Sequence, residues 1–266
     1  MQVVGILNCS PDSYFEGGRF NTASEAIDYG LRLFEEGADI LDIGGESTRP
    51  GSDVAVSEVE EMRRVIPVIR GIRARTDRPI SIDTFKPSVA EAALAEGAQW
   101  INDITGLADP HMQQLARSTR ARVCIMHMYG PPHSLPTPHY PQGVIVAILH
   151  FFQKRVAQLE SAGIDRSQII LDPGIGGGAF GKTPDESLQI IKHLDQFASL
   201  GFPLLVSLSR KSFLQKILQK PPSEVLSTTL ALNTIALLEG ATYIRVHDVA
   251  AHKDILTVLK RLEAVN

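Results

Sequence analysis

The residues able to do chemistry in this sequence cluster where short apolar runs end. Asn8 follows the first run, and Asp42 sits near the end of the second, ahead of Gly44-Gly45-Glu46-Ser47-Thr48-Arg49-Pro50-Gly51. Later runs end in Asp83-Thr84, Asn102-Asp103, Met126-His127-Met128 and Asp172-Pro173-Gly174. The last two lead into Ser209-Arg210-Lys211-Ser212 and Arg245-Val246-His247-Asp248. A single Asp at a strand end often caps the next helix. Eight consecutive strand ends with polar groups exceed what capping explains, because buried charge is costly unless it is paired or used on a ligand. Asp42, Asp83, Asp172 and Asn102 form an acceptor-rich set, while Arg49, Lys211, Arg245 and His247 form a cationic set. A molecule matching both has amidine-like donors at one end and an anion such as pyrophosphate at the other, where Arg supplies a two-pronged donor. Asn8 and Asp42 offer oxygens of the kind Mg²⁺ accepts beside substrate phosphates and water. Ser212 is expected to cap a helix over 212–220 whose first amides could hold a carboxylate. Met126 and Met128 are read as lying on opposite strand faces, with Met126 as a flat apolar ligand surface.

Positioning such groups requires strands of similar length. The runs Val3–Leu7, Ile40–Ile43, Ile80–Asp83, Trp100–Asp103, Arg122–Met126, Ile169–Leu171, Leu204–Ser207 and Tyr243–Val246 are short and mostly apolar. That is the character of parallel strands covered on both faces. Amphipathic stretches separate them, as in 57–76, where Val59, Met62, Ile66 and Ile69 predict one apolar helix stripe. Unbroken alternation predicts an α/β fold, a single (β/α)₈ barrel domain over residues 1–266, with its active site at the carboxyl ends of the strands. An internal echo supports it. Glu36-Gly37-Ala38, Glu96-Gly97-Ala98 and Glu239-Gly240-Ala241 each close a helix, and five residues after each Gly stand Asp42, Asn102 and Arg245. Equal offsets predict equal heights in the sheet. The Pro-rich stretch 130–141 reads as a long loop on the active face.

Composition narrows the function classes. Lys+Arg 26 against Asp+Glu 30 gives formal net charge −4, with no basic footprint for nucleic acid. No run approaches the ~20 apolar residues of a membrane span, and the first residues lack signal-peptide character. Cys9 and Cys124 have no ligand-like neighbours, so neither a zinc site nor a disulfide is expected, and a cytoplasmic setting is. Gly174-Ile175-Gly176-Gly177-Gly178-Ala179 matches a loose dinucleotide pattern, but no acidic residue ends the next strand. His111, His133, His139, His150, His193 and His252 read as ordinary surface histidines.

Taken together and in this order, Gly5-Ile6-Leu7-Asn8-x-Ser10-Pro11-Asp12-Ser13, the Asp42–Gly51 segment, Ser81-Ile82-Asp83-Thr84, Asn102-Asp103-Ile104, Asp172-Pro173-Gly174, Ser209–Ser212 and Arg245–Asp248 resemble the dihydropteroate synthase family of pterin-binding barrels, from Val3 to about Lys253. The resemblance implies condensation of 7,8-dihydropterin pyrophosphate with p-aminobenzoate, giving dihydropteroate and pyrophosphate. It implies a pterin pocket of Asp83, Asn102, Met126, Asp172 and Lys211, with Asp172 taking the 2-amino and N3 hydrogens and Lys211 donating on the O4 and N5 side. Pyrophosphate falls to Asn8, Arg49, Arg245 and His247, with Asn8 also helping to hold Mg²⁺. The aminobenzoate pocket falls to Thr48, Pro50, Phe180 and Ser212. Asp83, Asp42 and Lys211 are the implied catalytic groups, for a dissociative reaction through a pterin-stabilised cation. The family usually forms homodimers through barrel helices.

Two departures stand out. Gly177-Gly178-Ala179 intervene before Phe180-Gly181-Lys182, which predicts a displaced Phe180 and altered discrimination between p-aminobenzoate and sulfonamide mimics. The first loop carries Ser10, Tyr14, Phe15 and Glu16 where Thr, Phe, Ser and Asp are commoner in the family. A methyltetrahydrofolate-binding methyltransferase barrel shares the pterin pocket but has no need of the Arg49, Arg245 and His247 set. A non-catalytic pterin-binding protein would likewise not require it.

Overall fold

Alternation of residue type along each strand decides what the sheet can bury. The computed structural model describes residues 1–9, 22–46, 56–130, 139–176 and 180–265. Its strands are β1 (Gln2–Asn8), β2 (Ile40–Gly44), β3 (Ile80–Asp83) and β4 (Trp100–Asp103), followed by β5 (Arg122–Met126), β6 (Ile169–Asp172), β7 (Leu205–Val206) and β8 (Tyr243–Val246). They form one eight-stranded sheet in the order β6-β5-β4-β3-β2-β1-β8-β7. Every pairing is parallel, and a bridge between Leu171 and Leu204 joins the two edge strands. The expected barrel is therefore present, with β7 shorter than its apolar run: Leu204 lies just before it, bridging to Leu171 and accepting at its carbonyl from the Thr242 and Tyr243 N–H groups at 2.8 and 3.0 Å.

The two faces of the sheet bury different things. Leu7, Ile43, Ile82, Ile101, Ile125, Leu171, Val206 and Ile244 point outward into the main core beneath the helices. Val4, Ile40, Trp100, Cys124, Ile170, Leu205 and Tyr243 point inward and form a separate apolar layer at the barrel foot. Trp100 and Tyr243 meet edge to face at 5.2 Å. Arg122 closes the foot, its guanidinium 4.6 Å from the Trp100 ring centroid and its Nη1 donating to Tyr243 Oη at 2.9 Å. Two residues further along the same strands, on the same inward parity, stand Asp42, Asn102, Met126, Asp172 and Arg245.

Around the sheet lie α1 (Ala23–Glu35), α2 (Glu58–Arg73), α3 (Pro87–Ala95), α4 (Pro110–Thr119) and α5 (Val144–Ser161). The second half adds α6 (Pro184–Lys192), α7 (Leu194–Ala198), α8 (Ser212–Leu218), α9 (Leu226–Leu238) and α10 (Val249–Glu263). Thr22 and Thr183 open α1 and α6 as reciprocal capping boxes with Glu25 and Glu186. Gly37, Gly97 and Gly240 follow α1, α3 and α9 at φ of +106°, +99° and +99°, a backbone that only glycine adopts without strain.

Of the stripe expected on α2, Ile69 is buried and Met62 and Ile66 pack half-buried against the core, while Val59 falls outside it. Val59 is 73% exposed, and the buried apolar face runs through Val65, Val68, Ile69 and Ile72. The first inward position belongs to Glu61, buried against Lys86. No helix among the described residues is long and apolar enough to cross a membrane. Most of the Pro-rich stretch, 131–138, lies outside the described residues.

Candidate active site

The three residues five places after the helix-ending glycines meet at one atom. Asp42 Oδ2 accepts from Arg245 Nε at 2.5 Å and from Asn102 Nδ2 at 3.0 Å. The same guanidinium donates through Nη2 to Asp83 Oδ2 at 2.6 Å. The acceptor-rich and cationic sets therefore interlock, because Arg245 lies between two carboxylates. Burial works against the charged guanidinium, but Asp42 and Asp83 outweigh it and hold the proton. Burial raises the Asp83 pKa, Arg245 pulls against the rise and the Asp42 charge adds to it. Asp42 Oδ1 is buried without a hydrogen-bond partner.

Across the mouth, Asp172 is buried at the end of β6, with Gly174 N–H donating to its Oδ1 at 2.7 Å. Burial raises its pKa, opposed by that hydrogen bond and by the charges of Lys211, Lys182 and Arg245. Met126, Ile104 and Phe180 form an apolar cluster beside it, with Phe85 and Met128 packed against them. Both methionines thus serve one cluster, since residues two apart share a face. The Phe180 ring centroid lies 4.7 Å from Lys211 Nζ, and the ring packs against Gly176. His127 donates from its backbone N–H to Asp172 O at 2.9 Å, and its ring packs edge to face on Phe151. Burial pushes the imidazole down to about 3, so it is neutral at pH 7.

The ends of β7 and β8 are laced together. Ser209 Oγ accepts from His247 N–H at 3.1 Å and lies 3.0 Å from His247 Nδ1. Arg210, in the left-handed region at φ +54°, makes a two-pronged bond to Asp248 at 2.9 and 2.8 Å. Lys211, not Ser212, is the N-cap of α8, and Ser212 is its first residue; the seven-residue helix ends at Leu218. Asn8 is half-buried at the end of β1, in register with Gly44. Among the described residues no group of three or more His, Cys, Asp or Glu side chains could hold a metal.

Thr48, Arg49, Pro50, the first-loop residues 10–21 and Gly177–Ala179 lie outside the described residues. The residues that bracket the second loop are described. Lys86 Nζ donates to Glu46 Oε2 at 2.5 Å, to Glu61 Oε2 at 2.5 Å and to Val56 O at 2.6 Å. One ammonium thus ties positions 46 and 56, on either side of that loop, to α2. Lys86 and Lys182 escaped the sequence reading because a lysine in a loop or first helical turn reads as solvated charge. Their only signal is an acidic residue or strand end that the fold alone brings near. His252 is a correction: it is fully buried, beside Asn233 at 2.8 Å and the Asp248 carbonyl at 2.7 Å, not at the surface.

Residues 4–247 match the family model described as pterin binding enzyme. The chain is 42% identical over 257 residues to the dihydropteroate synthase of Haemophilus influenzae, covering 97% of this chain and 92% of the relative. The solved structure of Xanthomonas albilineans dihydropteroate synthase with 4-aminobenzoic acid superposes with TM-score 0.91 at 43% identity, covering 100% of this chain and 94% of that one. The same bacterium's enzyme in complex with 7,8-dihydropteroate gives TM-score 0.88 at 41% identity, with the same coverage.

Proposed function

This chain belongs to the pterin binding enzyme family as a dihydropteroate synthase, and from that premise we propose how its barrel mouth works. It is a transferase that condenses 7,8-dihydropterin pyrophosphate with p-aminobenzoate, releasing pyrophosphate. The observation that carries the mechanism is the Arg245 guanidinium held between Asp42 and Asp83. Asp172 accepts the donor edge of the pterin, Asn102 and Asp83 flank the pyrimidine, Lys211 donates on the O4 and N5 side and Met126 supplies the flat apolar surface. Arg245 Nη1, engaged by neither carboxylate, is assigned to the diphosphate with His247, Arg49 and Asn8. If Ser209 gives its hydroxyl proton to His247 Nδ1, the ring proton sits on Nε2, where it donates outward.

The C9–O bond breaks first, and its electron pair leaves with the diphosphate. The cation left on the pterin is stabilised by the fixed charges of Asp83 and Asp42, preorganised because Arg245 and Asn102 already orient them. The amine of p-aminobenzoate then attacks C9, in a pocket assigned to Phe180, Ser212, Thr48 and Pro50, and the resulting ammonium gives up one proton to water or to the departing diphosphate. Lys211, over the Phe180 ring, is assigned to both pockets.

Magnesium fits as a passenger of the diphosphate rather than as a resident ion. Asn8 offers an amide oxygen at the mouth, and Asp42 keeps a buried oxygen without a partner. Among the described residues that donor set suits an ion that takes most of its oxygens from phosphate and water. Asn8 would hold it, and the ion would neutralise the leaving diphosphate. We assign a homodimer to the helices that expose Ile217, Leu218, Ile235, Leu238, Val258 and Leu262. We place the enzyme in the cytoplasm, where its two free cysteines stay reduced. Sulfonamides are expected to compete for the aminobenzoate pocket, with constants that change when residues 177–179 are deleted; equal constants would remove that idea.

The test is product formation. Purified chain given dihydropterin pyrophosphate and p-aminobenzoate should yield dihydropteroate by mass spectrometry, with one pyrophosphate per product. Absence of product with both substrates and Mg²⁺ would overturn the assignment.

A further inference from the structure

Behind the pterin pocket lies a second lysine to which the mechanism gives no part. Lys182 is only 2% exposed, and its Nζ donates to the carbonyls of His127 at 3.0 Å and Phe180 at 3.3 Å. These carbonyls belong to different segments, one following β5 and one in the loop after β6. The turn between them is tight: a Cβ on Gly174, at φ +68°, would stand 2.1 Å from His127 O and 3.0 Å from Lys182 Nζ. Tyr140 Oη donates to Gly181 O at 2.9 Å from the far side. We infer that Lys182 is a positioning residue of the pterin pocket, a buried cation that ties these two segments around the Asp172–Gly174 turn and supplies Asp172 with a counter-charge from behind. The inference rests on the function proposed above.

Bridging two carbonyls requires only neutral donors. Burying an ammonium to do it is costly unless the charge is used. The charged groups that act on Lys182 are Asp172, Lys211 and Glu186. Those that act on Asp172 are Lys211, Lys182 and Arg245, and Cys124 lies close by. Burial pushes Lys182 down to about 7, with Asp172 opposing that fall and Lys211 adding to it. Below that pH the lysine is charged and favours ionised Asp172, the form that accepts two pterin hydrogens. Above it the charge fades. A mere strut would give no such pH dependence.

The experiment is calorimetric titration of the full chain with 6-hydroxymethylpterin between about pH 5 and pH 8, comparing wild type, K182M, K182Q and K182R. K182M and K182Q should bind about tenfold more weakly near pH 6, with the acid limit of binding moved up by about one pH unit. The gap should narrow above the titration of Lys182, and K182R should keep the wild-type limit. At saturating substrate, kcat should stay within about threefold, because the residue acts on ground-state recognition. A folded K182M or K182Q with wild-type affinity, or with weakened affinity and an unmoved acid limit, overturns the inference. Failure of both neutral variants to fold makes Lys182 a structural strut and overturns it too. If the unmodified chain binds no pterin, the proposed function itself falls and carries this inference with it; normal wild-type binding with an unmoved limit removes this inference alone.

Discussion

The foot and the mouth of the barrel are built from the same strands, on the same inward face, two residues apart. At the foot stand Ile40, Trp100, Ile170 and Tyr243, packed into a dry layer. At the mouth the same strands present Asp42, Asn102, Asp172 and Arg245. The foot gains free energy by removing apolar area from water, at about 25 cal/mol per Å². The mouth forgoes that gain and holds charges whose desolvation is offset only by one another and by the substrate. In the proposed mechanism one strand therefore divides its work along its length, with stability below and recognition above.

The comparison predicts opposite consequences for substitutions at the two levels. Asp83→Ala should lower kcat by about 10²–10³-fold while changing the dissociation constant for a pterin only a few-fold, because the carboxylate acts on charge that forms in the transition state. Steady-state kinetics beside calorimetry check this, and an unchanged kcat would remove Asp83 from the mechanism. Trp100→Ala, at the foot, should cost about 3–5 kcal/mol in urea denaturation and leave pterin affinity of the folded protein unchanged.

A smaller effect sharpens the boundary between the levels. His127 is neutral in the folded protein down to about 3, whereas the unfolded ring takes its proton near 6.5. The stability this contributes is present above 6.5 and is lost as pH falls from there toward 3. Between pH 7 and pH 5 the loss should be about 2 kcal/mol, and His127→Phe should abolish that part of the slope. Equal slopes in the two proteins would show that the buried ring does not govern it.

Much of this division was legible in the residues. Runs such as Ile80–Asp83 and Trp100–Asp103 coincide with strands because a parallel strand covered on both faces must be apolar nearly throughout. The Glu-Gly-Ala echo placed Asp42, Asn102 and Arg245 at one height, and they meet at Asp42 Oδ2. Pairing was harder. Arg245 and Asp42 lie 203 residues apart in sequence, so their bond follows from barrel closure rather than from local pattern. The division into a cationic side and an acceptor side therefore missed that Arg245 belongs between two carboxylates. The α2 stripe held at Met62, Ile66 and Ile69 but lost Val59 for a related reason: Lys86, supplied by the segment after β3, makes Glu61 the first buried position of the helix. Buried His252 followed the same rule, its partner Asn233 coming from a neighbouring helix.

Asp172→Asn tests the division most directly. Because burial raises the Asp172 pKa, keeping it ionised at neutral pH costs stability once the pH climbs above the unfolded carboxylate range, and the amide removes that cost. Calorimetric titration with 6-hydroxymethylpterin at pH 7, beside a thermal melt, should give no measurable binding where the wild type saturates, and a Tm equal to or above wild type. Wild-type binding by that variant, or a large fall in Tm with binding intact, would contradict the account.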